Sequence, residues 1–320
     1  MSELISINKR NFKRGESGIV ELKVGRIPSD TEIDIEAHVF RSHEDGPTVL
    51  ILAGVHGDEI NGVEIVRNFL FHENFNALKK GSLIIIPLLN VFGFINFDRY
   101  VPDGKDVNRS FPGTFNGSLA SRIARTLTKH ILPHVDLVFD FHTGGDSRYN
   151  FPQIRFSRND QDAEALARIF NPPFIIQSGM IARSLRKTTR EMKIPTLVYE
   201  GGESVRLDGL SIHIGLKGLK NCLQHLGMFE YDKAGQKKEN TRIIKKTSWV
   251  RANYSGIFIW IKSSGQKVEK GEKLGNIHDP YGQKSIDVIS HRSGYIIGHN
   301  NASVVNQGDA LFHIGYEYEE

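Results

Sequence analysis

Three short runs of apolar residues set the limits on what this chain can fold into. Thr48 to Gly54 (TVLILAG) and Leu83 to Leu89 are almost wholly apolar, and Val135 to Phe141 (VDLVFDF) is apolar but for Asp136 and Asp140. Each is the length of a strand. A strand that is apolar on both sides must be covered on both faces, which is the condition of a parallel sheet sandwiched between helices. The segments between them supply those helices. From Glu59 to Phe71 the apolar residues Ile60, Val63, Val66, Phe69 and Leu70 recur at helical spacing, and Ser118–Leu132, Asp162–Phe170 and Ile212–Leu226 read the same way. Ile19 to Phe40 alternates like two strands, and Phe174–Ile176 and Thr196–Tyr199 are short strands. The expected fold is α/β: a mixed, mostly parallel sheet with helices on both faces.

The texture changes near residue 230. Asp232 to Asn240 (DKAGQKKEN) is polar and reads as a linker. Beyond Ile243, β-like runs alternate with Gly, Asn and Asp turns and no helical period appears. Two stretches, Gly265–Gly275 and Asn301–Leu311, share the order Val, Gly-acid, Leu. The expected division is a domain over residues 1–230 and a small all-β unit of two related halves over 243–320.

Composition narrows the partners. Of 320 residues, 41 are Lys or Arg and 37 Asp or Glu, so the net charge is only +4 and no basic block stands out. That argues against nucleic acid, which needs a clustered basic stripe, and suits a small anionic substrate. One cysteine, Cys222, cannot make an internal disulfide. With no apolar signal core at the N-terminus and no run long enough to span a bilayer, the expectation is a cytoplasmic protein without a membrane partner.

Chemistry gathers where the apolar runs end. Gly54-Val55-His56-Gly57-Asp58-Glu59 lies at a strand-to-helix transition, and His142 ends the run Val135–Phe141. His and Glu three apart are nearly one helical turn from each other, and the carboxyl edge of such a sheet is where ligands bind. Two His and one carboxylate leave a fourth position open, the pattern of a catalytic zinc site. Taken singly, a His at a strand end is more often a structural hydrogen-bonding residue, and a lone HxxE is common by chance. Glu200, in Tyr199-Glu200-Gly201-Gly202-Glu203, reads as a proton shuttle or as a helix-capping or turn acid. Arg99 and Arg109, in the loop RYVPDGKDVNRSFPG, read as a grip on a carboxylate or as surface arginines.

Four of these segments, GVHGDE, DVNRSFPG, DFHTG and YEGGE, occur in an order and at distances that resemble the succinylglutamate desuccinylase/aspartoacylase family, a branch of the zinc carboxypeptidase superfamily. The resemblance covers residues 45 to 230. It implies one Zn²⁺ per chain held by His56, Glu59 and His142. It further implies Glu200 as general base and then general acid on zinc-activated water, Arg99 as the group that steadies the oxyanion, and Asn108 and Arg109 as receivers of the substrate carboxylate. Glu203 is a rival to Glu200, which the Glu-x-Gly alignment favours. Asp140 is a candidate partner of His142, and Arg148 a further anion contact. The implied activity is deacylation of an N-acyl amino acid or related small amide. Peptide hydrolysis by a metallocarboxypeptidase is the alternative within enzymes. Residues 243–320 resemble a biotinyl/lipoyl-like sandwich, which raises a third reading, a binding protein. Lys284 lacks the surroundings of a modified lysine, so the unit is expected to cover the site mouth or build a homo-oligomer contact.

Overall fold

The structure, a computed structural model, describes residues 4–232 and 239–319. Most of the expected linker therefore lies outside the described residues. Twelve strands form one sheet. Its centre is built from Thr48–Ala53, flanked by Ser82–Ile86 on one side and Leu137–Gly144 on the other, both parallel to it. Every residue of Thr48–Ala53 and of Leu137–Gly144 is buried. Their alternation splits the core in two. Leu50, Leu52, Ile84 and Ile86 pack with the helix Leu119–His130 on one face. Val49, Ile51, Leu83 and Ile85 pack on the other face with helices Ile60–His72, Gln161–Phe170 and Gly209–His225. Burial on both faces is the reason the three runs are so largely apolar.

The sheet is mixed rather than mostly parallel. Thr196–Glu203 continues the parallel centre beside Leu137–Gly144, but its other neighbour, Arg148–Ser157, runs antiparallel. The far edge, Glu32–Arg41 and Ser17–Arg26, is antiparallel as well. The strand Arg148–Ser157 carries no clear strand pattern, because Asn150, Gln153 and Arg155 interrupt it and Pro152 lacks an N–H. The expected strand Leu83–Leu89 ends at Ile86 for a similar reason, since Pro87 cannot donate to the ladder. Helix Leu185–Glu191, too short for a clear apolar period, was not foreseen either.

The C-terminal strands are hydrogen-bonded into the same sheet. Arg242–Arg251 pairs in parallel with Phe174–Ser178, Ala310–Glu319 pairs with Arg242–Arg251, and Gly294–Asn300 pairs with Ala310–Glu319. Gly294–Asn300 also reaches back to Arg148–Ser157, so these five strands close into a ring. A separate four-stranded sheet, containing Gly256–Trp260 and Lys273–His278, packs over a cluster of its own that includes Phe258, Leu274 and Phe312. Lys284 sits beside the hairpin of this sheet with its ammonium 4.2 Å from the Tyr254 ring centroid. No helix among the described residues is long and apolar enough to cross a membrane.

Candidate metal centre and its pocket

The strand Thr48–Ala53 hands the chain to helix Ile60–His72 through Gly54, whose φ of +64° is left-handed backbone that suits glycine. That turn drops His56 onto the carboxyl edge of the sheet. Glu59 occupies the N-cap of the helix but makes no capping bond. Its carboxylate is directed into the site: Oε1 lies 2.6 Å from His56 Nδ1 and Oε2 2.7 Å from His142 Nδ1. His142 is brought there by Leu137–Gly144, against which the helix packs closely. A Cβ on Gly62 would lie 2.5 Å from the Phe141 carbonyl oxygen. All three side chains are buried, and their ligand atoms lie within 4.8 Å of one another.

The outer nitrogen of each imidazole is held by a second carboxylate. Asp106 Oδ1 is 3.3 Å from His56 Nε2, and Asp140 Oδ2 is 2.9 Å from His142 Nε2. Such outer carboxylates fix the ring orientation and tautomer of metal-binding histidines. Arg99 closes the cluster, donating to Asp106 Oδ2 at 2.9 Å and to Glu59 Oε1 at 3.3 Å. With both imidazoles neutral, three carboxylates face one guanidinium and leave two negative charges in excess, the charge a divalent cation neutralises. The electrostatics point the same way. Burial opposes charging His56, yet Glu59 and Asp106 raise its pKa; burial opposes charging His142, yet Asp140 and Glu59 raise its pKa well above the imidazole range. Burial also disfavours the Glu59 carboxylate, but His56 and His142 hold it well below its usual range. Asp140 Oδ1 and Thr143 Oγ1 are buried at this site without a hydrogen-bond partner. The donor set, two imidazoles and one carboxylate with no thiolate, fits Zn²⁺ with room for a further ligand.

The cluster floors a pocket of about 410 Å³, within the range of small-molecule sites. Glu200 lines it from the neighbouring strand, in register with His142. A bulge follows at once, between Glu200 and Glu203, where Gly202 adopts a φ of +82°. Glu200 accepts a hydrogen bond from Asn150 Nδ2 at 2.9 Å and lies 3.7 Å from Arg155. Glu203 turns elsewhere and accepts from Asn301 Nδ2 at 2.6 Å. Arg99, Asn108, Arg109, Asp140 and Arg148 all line the pocket. Asn108 spends its Oδ1 on the backbone N–H of Leu185, at 2.9 Å, which fixes the start of helix Leu185–Glu191. Arg109 is anchored through Asn108 O at 2.8 Å.

Sequence reading alone did not single out Asp106 as the partner of His56, Asn150 as the partner of Glu200, or Arg155, Arg186 and Trp249 as pocket residues. Arg186 donates to Ser178 Oγ and to Gly179 O. Burial and neighbouring Arg155 push it down to about 10, which leaves it charged at neutral pH. The signal for Asp106 and Asn150 was faint: a single Asp or Asn in a polar loop has many uses, and only the fold shows which ring or carboxylate it meets.

The chain is similar to known proteins along most of its length. The model of the succinylglutamate desuccinylase/aspartoacylase catalytic domain matches residues 45–226. N-alpha-acetyl-L-2,4-diaminobutyric acid deacetylase of Halomonas elongata is 27% identical over 282 residues, 83% of this chain and 81% of that protein. The product-bound ectoine utilization protein EutE (DoeB) of Ruegeria pomeroyi superposes with a TM-score of 0.86 at 25% identity, covering 98% of this chain and 99% of that one. A succinylglutamate desuccinylase/aspartoacylase of Rhodobacter sphaeroides gives 0.83 at 25% identity, covering 95% of each chain. With more than half of its length matched by the family model, the chain belongs to the succinylglutamate desuccinylase/aspartoacylase family.

Proposed function

We propose that the protein is a zinc-dependent deacylase that hydrolyses the amide bond of an N-acyl amino acid, releasing a carboxylate and a free amine. One observation carries the reading: a buried His56–Glu59–His142 triad, each imidazole backed by a carboxylate, forms the floor of an arginine-lined pocket that also holds Glu200. The deacetylase of Halomonas elongata supports the substrate class. Zn²⁺ held by His56, Glu59 and His142 would supply Lewis acidity, polarising the carbonyl and making water a nucleophile at neutral pH.

The rest of the chemistry belongs to side chains of this chain. Glu200 is the acid–base group: it takes a proton from the attacking water and delivers it to the leaving amine. Asn150 orients its carboxylate through the 2.9 Å hydrogen bond. Arg99 lies beside the triad, where its guanidinium stabilises negative charge developing on the carbonyl oxygen. Arg109 and Asn108 receive the substrate carboxylate, with Arg148 as a further contact, and thereby set the scissile bond over the triad. Residues 1–230 carry this work. We assign 243–320 to a barrel-sandwich unit that walls the pocket, a role supported by Trp249, which lines it from Arg242–Arg251.

The test is a panel of acetyl-, succinyl- and formyl-amino acids beside short peptides, assayed with zinc-loaded and chelated protein. The reading expects turnover of at least one N-acyl amino acid that disappears on chelation and returns with zinc. Turnover of peptides alone would move the assignment to a carboxypeptidase. An added lipoyl or biotinyl mass on the intact chain would favour a binding protein.

A further inference from the structure

A second cavity opens beside the catalytic pocket. It encloses about 320 Å³ and shares Arg155, Ser178 and Gly179 with the first. Its other wall comes from the C-terminal strands. The parallel pairing of Ile244 with Ile176 brings Lys245 and Lys246 to its rim, and His313 enters from Ala310–Glu319. His313 stacks on Trp249 with ring centroids 4.2 Å apart and planes within 5°, so one aromatic pair stands between the two cavities.

The charge of this cavity is one-sided. Arg155, Arg158, Lys245 and Lys246 line it, and no carboxylate side chain does among the described residues. The two lysines reach out to Glu319 and Glu317, but those acids are about half exposed, and exposed pairs of this kind hold their partners weakly. Arg158 is exposed. His313 is buried, and its Nδ1 has no hydrogen-bond partner. Burial and neighbouring Arg155 hold this histidine down to about 3, so at neutral pH its ring is uncharged and the positive charge of the cavity comes from the two arginines and two lysines.

We propose that this second cavity is an oxyanion subsite, which takes a carboxylate or phosphate group beside the catalytic pocket. Two sources share that chemistry: an anionic group at the far end of the substrate, or a free small anion. The first source rests on the deacylase reading, whereas the second stands without it. Two arginines and two lysines with no carboxylate among the described lining residues are suited to the several oxygens of such a group, because charge-assisted hydrogen bonds are the stronger ones.

The experiment uses full-length zinc-loaded protein and the double variant R158A/K245A, both positions being solvent-exposed, with thermal melts to confirm equal folding. Binding of inorganic phosphate and of succinate is measured by titration calorimetry. In parallel, kcat/KM is compared for N-succinyl and N-acetyl derivatives of one amino acid. The proposal expects phosphate or succinate to bind about tenfold more weakly to the variant. If the anion belongs to the substrate, the ratio of N-succinyl to N-acetyl kcat/KM also falls about tenfold and phosphate competes with the N-succinyl substrate. If it is a free anion, phosphate binding weakens while that ratio stays put. Unchanged affinity for both anions in the variant overturns the proposal. A protein that turns over no N-acyl amino acid refutes the deacylase reading, and the calorimetric result still decides the cavity.

Discussion

The floor and the wall of the catalytic pocket are built on opposite plans. On the floor, Glu59 faces both histidines, each histidine meets a second carboxylate, and Arg99 ties two of the acids together. These groups are buried or nearly so. On the wall, Arg148 reaches Asp146 at 3.5 Å, Arg109 bonds a backbone carbonyl, and Arg155 lies 3.7 Å from Glu200. On the proposed function, the difference separates two tasks. A metal site needs its ligands fixed before the ion arrives, so its network is closed on itself. On the same reading, a guanidinium as loosely held as that of Arg148 leaves hydrogen bonds for an anionic ligand to complete.

Substitutions on the floor should therefore be severe, and those on the wall graded. For H142A the expected outcome is loss of stoichiometric zinc with activity reduced by about 10³-fold or more, since a catalytic zinc site rests on three protein ligands. Metal analysis beside the assay checks it, and a variant that keeps its zinc would break the contrast. E200Q should lower kcat by about 10²–10⁴-fold, the usual contribution of a positioned acid–base group. Zinc content should stay at the wild-type level, which separates this residue from the floor. D106N and D140N should weaken zinc binding by about 10–100-fold, as outer-shell partners of metal ligands do. Competition with a chromogenic chelator measures that shift.

The wall has a mechanical support behind it, and there the expected effect is on stability. His299, on the strand that reaches back to Arg148–Ser157, is buried with its Nδ1 2.6 Å from Ser264 Oγ. Burial lowers its pKa from 6.5 to about 4. The unfolded chain therefore takes up this proton first as pH falls. The stability linked to His299 is complete above pH 6.5 and is lost as pH drops through 4, a change of about 3 kcal/mol. Urea melts at pH 7.5 and 4.5 should show H299Q losing about 2–3 kcal/mol less than wild type between the two. Equal losses would show that the ring is not held neutral by the fold.

The floor was far more legible in the sequence than the wall, and the contrast explains why. His56 and Glu59 follow the apolar strand Thr48–Ala53 within six residues, and His142 lies near the end of Leu137–Gly144, so a change from Val, Ile and Phe to His or Glu hints at the sheet edge without any coordinates. The parallel centre and its covering helices followed from the same runs. The wall is made by Arg148–Ser157, whose rhythm is broken by the pocket residues Asn150 and Arg155, so polar side chains that line the pocket masked the strand that carries them. Trp249 and His313 were hidden for another reason. They reach the two neighbouring cavities because Arg242–Arg251 pairs with Phe174–Ser178, a contact between segments about seventy residues apart that no local pattern encodes. The joining of the C-terminal strands to the catalytic sheet was invisible for the same cause.

Zinc titration of the metal-free protein, followed by assay on N-acyl amino acids, tests the central claim most directly. The account predicts one tightly bound Zn²⁺ per chain, no turnover in its absence, and activity rising in proportion to occupancy up to that equivalent. Full deacylation by protein verified to be free of metal, or activity with no zinc retained at His56, Glu59 and His142, would contradict it.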